Sequence, residues 1–76
     1  MRYRVEFLRE PTEEQSVCHA RAMSADTIDI AQMQALAWSG RARNVFGAGG
    51  FQIRDLDDQG RIVALEEFVE PPPAVH

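Results

Sequence analysis

The chain has 76 residues, 45% hydrophobic and 26% charged, which is the balance of one small folded domain rather than a disordered segment. Twelve acids face eight arginines and no lysine, and the formal net charge of −4 speaks against nucleic-acid binding, which needs a basic surface. The single cysteine, Cys18, excludes an internal disulfide and argues against a cysteine-rich zinc site.

No apolar run approaches the roughly 20 residues of a membrane span. The opening MRYRVEFLRE threads charges through its apolar residues, whereas a signal peptide needs an unbroken apolar stretch. The expectation is a cytoplasmic protein with neither a membrane nor a nucleic-acid partner. So short a chain buries only about 60–65% of the surface exposed when it unfolds, and no disulfide compensates. Assembly with a second copy is therefore expected.

Tyr3, Val5 and Phe7 alternate with Arg2, Arg4 and Glu6, the period of a half-buried strand, and Pro11 ends it. Residues 11–23 are ambiguous. Thr12 with Gln15 has the spacing of a capping box and suggests a short helix or an extended connection. A second strand centred on Val17 to Ala22 is the alternative.

The clearest helix spans 26–39. Asp26 is its expected cap, with Ser24 as a rival, and Asp29 adds charge near the positive end. One apolar row runs through Ile28, Ala31, Ala35 and Trp38. A second, adjoining row holds Ile30, Met33 and Ala37. Gly40 is read as the residue that ends the helix, with Arg41 and Arg43 favouring its negative end. The GAGG stretch at 47–50 follows as a crossover loop. A phosphate-binding turn would need the reverse order, a strand before the glycines and a helix after them.

A strand from Phe51 to Leu56 and a second from Arg61 to Val69 enclose a turn at 57–60. The twelve residues DLDDQGRIVALE resemble the calcium loop of the EF-hand family. Asp55, Asp57 and Gln59 alternate, Gly60 follows at the bend, and Glu66 closes the set. The resemblance implies oxygen ligands from those residues around a hard cation. The flanks read instead as strands, and aspartate with glycine is what a hairpin turn requires, so a hairpin is expected. No metal, cofactor or catalytic residue is assigned. Adjacent Cys18 and His19 read as a small buried thiol beside an exposed imidazole rather than as a nucleophile and its base. PPPAVH, residues 71–76, reads as a proline-rich tail, with His76 given no role.

These elements predict an α+β fold in which one main helix packs on a three-stranded, mostly antiparallel sheet in the order β-α-β-β. Residues 1–70 would form one domain ending in a β-hairpin. The face carrying Arg4, Glu6, Gln52 and Arg54 is expected to tolerate water. Leu8 and Leu56, with Val63 and Leu65 as further candidates, keep it from being uniformly polar, and such a face and an edge strand both invite pairing with another copy. The expected function is non-enzymatic: a small domain that forms a homodimer or binds another protein, through Ile30, Met33, Ala37 and Trp38. A small-molecule or enzymatic site formed between subunits is the alternative. Accompanying a larger enzyme as a regulatory subunit is a third.

Overall fold

The computed structural model describes residues 1–69, so the expected tail at 71–76 lies outside the described residues. Four strands and one helix follow in the order β1 (Arg2–Leu8), β2 (Val17–Ser24), α1 (Ile28–Phe46), β3 (Gly50–Asp55) and β4 (Arg61–Glu67). The sheet is antiparallel throughout, in the order β2-β1-β3-β4. Two hairpins flank the helix, and their first strands, β1 and β3, pair at the centre.

This corrects the three-stranded β-α-β-β expectation. The ambiguous segment supplies a strand, β2, which pairs with β1 from Arg2↔Ser24 to Leu8↔Val17. Only its other reading, as a helix or extended connection, fails. The register places His19, Arg21 and Met23 opposite Phe7, Val5 and Tyr3, on the helix-covered face. An edge strand with His and Arg turned inward does not show the alternation of a half-buried strand.

The expected alternation in β1 and β3 holds on the helix side. Tyr3, Val5, Phe7, Phe51 and Ile53 are buried there and provide the bulk of the core. Phe7 and Phe51 meet edge to face, with ring centroids 6.1 Å apart.

The helix bounds also shift. Thr27 is the cap, its Oγ1 accepting the Ile30 amide at 3.3 Å, instead of Asp26 or Ser24. The helix passes through Gly40 and stops at Gly47, where φ is 71°. A mid-helix glycine costs about 1 kcal/mol against alanine. Continuation is compensated by burial of Ala42 and by the contact that Phe46 makes with β2. The amides of Gly47 and Ala48 both turn back to the Ala42 carbonyl. Glycine at 49 and 50 allows close backbone passage: a Cβ on Gly50 would meet the Glu66 carbonyl, and one on Gly49 would lie 2.7 Å from the Arg9 carbonyl.

DLDDQG folds as the β3–β4 turn. Asp55 accepts the Asp57 amide at 2.9 Å through its side chain and the Gly60 amide at 2.9 Å through its carbonyl. Gly60 sits at φ 74°, where a Cβ would be strained. The Asp57 carboxylate is held by Arg2, at 2.7 Å from its amide and 3.2 Å from Nε.

The second sheet face, expected to tolerate water without being uniformly polar, is partly covered. Residues 9–16 fold back over one end of it. Gln52, only 1% exposed, donates to Glu6 at 2.7 Å and to the Glu14 carbonyl at 3.3 Å. Arg54 donates to Glu6 at 2.7 Å, to Glu14 at 2.7 Å and to the Gly60 carbonyl at 2.9 Å. These charge-assisted bonds, from Glu14 first and Glu6 second, push the Arg54 guanidinium above its ordinary range. The network joins β1, β3, the 9–16 loop and the β3–β4 turn with no buried side-chain polar atom unpartnered among the described residues.

Candidate functional site

Helix α1 positions its side chains in an unusual order of size. Toward the sheet it buries Ala31, Ala35, Ser39 and Ala42. These short side chains let the helix lie close above the large apolar residues of β1 and β3. Three bulky apolar residues of α1 turn the other way: Ile30 is 47% exposed, Met33 69% and Leu36 53%. From Ile30 to Gly40 the helix carries no charged residue. A solvent-facing helix ordinarily carries its charges on that surface.

Of the four expected interface residues, Ile30, Met33 and Ala37 are exposed on α1, while Trp38 is half-buried against the core. Of the two apolar rows, the one through Ile28, Ala31, Ala35 and Trp38 faces the sheet: Ala31 and Ala35 are fully buried, and Ile28 and Trp38 pack at its margins.

Beside Trp38, between α1 and β2, lies an open cleft of about 450 Å³. The Arg21 guanidinium, from β2, lies 4.1 Å over the Trp38 ring, a cation–π contact that fixes its orientation. The His19 ring stacks on Phe46 at 4.2 Å, nearly parallel, and faces Phe7 at 6.2 Å. Arg41 completes the rim from the helix side. No acidic residue lines the cleft, and among the described residues neither Arg21 nor Arg41 forms an ion pair.

Cys18 and His19 do not converge. The Cys18 thiol donates to the Phe7 carbonyl at 3.4 Å, while His19 is engaged by Phe46. Glu14 does not orient His19, because its carboxylate pairs with Arg54 at 2.7 Å. Among the described residues no group of three His, Cys, Asp or Glu side chains is arranged to hold a metal.

Comparison with protein-family models, curated proteins and solved structures finds no match to this chain.

Sequence reasoning named Trp38 but missed its surroundings. Arg21 and Arg41 are twenty residues apart in sequence, and only the β2 register brings the first beneath the helix. The one available signal was the helical spacing that sets Arg41 one turn after Trp38 and Ala37. Phe46 was hidden by ending the helix at Gly40.

Proposed function

We propose that this chain is a small non-enzymatic protein-binding domain whose partner is a second copy of itself, paired through the outer face of α1. The observation that carries this reading is the arrangement of the helix, alanines inward and Ile30, Met33 and Leu36 outward, across a segment without charge. Exposed apolar surface of this kind marks an interaction site more often than a solvated face. A two-fold pair is the commonest closure, because one patch then serves both copies.

Edge-to-edge sheet pairing is the competing route, with β2 and β4 as the two edges. Its β2 edge is irregular, the register shifting between Phe7 and Leu8, and β4 carries Glu66 and Glu67 exposed near its end. Both features disfavour a long continuous ladder between copies. No helix among the described residues is long and apolar enough to cross a membrane, and a cytoplasmic setting is part of the same proposal.

Sedimentation equilibrium from low micromolar concentration upward tests the proposal. The expected result is a species of twice the 8.6 kDa chain mass. A single species at the mass of one chain throughout overturns it.

A further inference from the structure

We propose that the cleft between α1 and β2 binds a small organic anion, a carboxylate or phosphate group carried on an apolar ring. Three observations support it. The first is size: about 450 Å³ lies within the range of sites that enclose small organic ligands. The second is charge. The chain is acidic overall, yet this cleft gathers two arginines and no acid, and neither arginine is engaged in an ion pair among the described residues. The third is shape. Arg21 lies on the Trp38 face, which holds the fork of its guanidinium in a set direction and leaves N–H groups for two oxygens of one anion.

Below the arginines the cleft turns apolar. Phe7, Ala42 and the Phe46 ring stacked on His19 provide walls for a ring, and the His19 imidazole is the one polar group among them. The match is therefore an anion at the rim and an apolar body inward. A free inorganic anion would engage only half of the site. A neutral ring would leave Arg21 and Arg41 without a counter-charge.

Met33 and Leu36 lie outside the cleft, but Ala37 and Trp38, two of the expected pairing residues, line it, so binding is measured both at high dilution and at concentrations where the chain would pair. Trp38 is the only tryptophan and touches Arg21, so its emission reports on occupancy. The probes are phenylacetate, phenyl phosphate, neutral phenylacetamide and inorganic phosphate, with isothermal calorimetry as a second readout.

Saturable binding of phenylacetate or phenyl phosphate, at least about tenfold tighter than phenylacetamide, is the expected result. Whichever of the two binds tighter identifies the preferred anionic group. Arg21→Gln and Arg41→Gln should each weaken that binding about tenfold or more, while Arg9→Gln, on another exposed arginine, should leave it unchanged. All three positions are exposed, and circular dichroism confirms that each variant stays folded. Absence of saturable binding by both aromatic anions overturns the proposal. So does equal binding of phenylacetamide, binding of inorganic phosphate as tight as that of phenyl phosphate, or unchanged binding in both Arg21→Gln and Arg41→Gln.

Discussion

Replacing Gly40 with alanine tests both the extent of α1 and the placement of everything beyond it. Gly40 lies well inside Ile28–Phe46, is exposed, and has nothing within 4 Å of where a Cβ would stand. It is also absent from the glycines with positive φ. Alanine therefore brings no clash and no strain. What remains is the helix propensity difference, with a matching loss of freedom in the unfolded chain. Together these should stabilise the domain by about 0.5–1 kcal/mol. With a urea slope near 1 kcal/mol per molar for so small a domain, the midpoint should rise by roughly 0.5–1 M. The melt should be run at two protein concentrations, since Gly40 lies on the charge-free stretch proposed to pair. The sign of the change is decisive. A left-handed Gly40 ending the helix would make alanine destabilising by a similar amount. A lowered midpoint would thus refute the long helix and displace Arg41 and Phe46 from the cleft.

Gly50→Ala should be damaging, because its Cβ would run into the Glu66 carbonyl and lie 2.9 Å from Pro11 Cγ, with the strand pairing holding the carbonyl in place; the expected loss is about 2 kcal/mol or more, and an unchanged urea midpoint would contradict the close β3–β4 approach. Asp57→Asn probes the contact with Arg2, whose amide and guanidinium hold the Asp57 carboxyl below its ordinary range. A depressed folded-state value stabilises above the unfolded pKa near 4 and loses that contribution as pH falls through the folded value. The variant should therefore be less stable than the parent at neutral pH and indistinguishable from it in strong acid. A constant difference across that range would exclude the contact as its source.

The central parts of the fold were legible because their sequence patterns reflect a single burial direction. Tyr3, Val5 and Phe7 face one layer, and Phe51 and Ile53 face the same one. The Asp-rich turn was legible from its residue chemistry. β2 was legible only as one of two readings, because the positions it turns toward the helix hold His19 and Arg21, whose contacts are with rings from a helix further along the chain. The helix end was misplaced at Gly40 for a simpler reason: Gly40 precedes plausible loop residues just as Gly47 does, and only tertiary contacts at Ala42 and Phe46 distinguish them. The second sheet face read as mixed, with Leu8 and Leu56 beside the polar Glu6, Gln52 and Arg54. Their mutual bonds and the covering 9–16 loop arise from pairings more than thirty residues apart. Of the site, the outward row of α1 was visible as helical periodicity. The basic cleft was not, since its walls come from different elements.

The most direct test of pairing through α1 measures Met33→Glu by sedimentation equilibrium and urea denaturation together. Met33 is 69% exposed, and glutamate is a good helix former, so the isolated fold should tolerate it. Two unpartnered carboxylates buried across a symmetric contact would oppose the pair strongly. The account predicts a sedimenting mass of one chain where the parent shows two, with the urea midpoint at high dilution unchanged. A Met33→Glu protein that still sediments as a dimer would contradict pairing through this face and favour pairing through the strand edges.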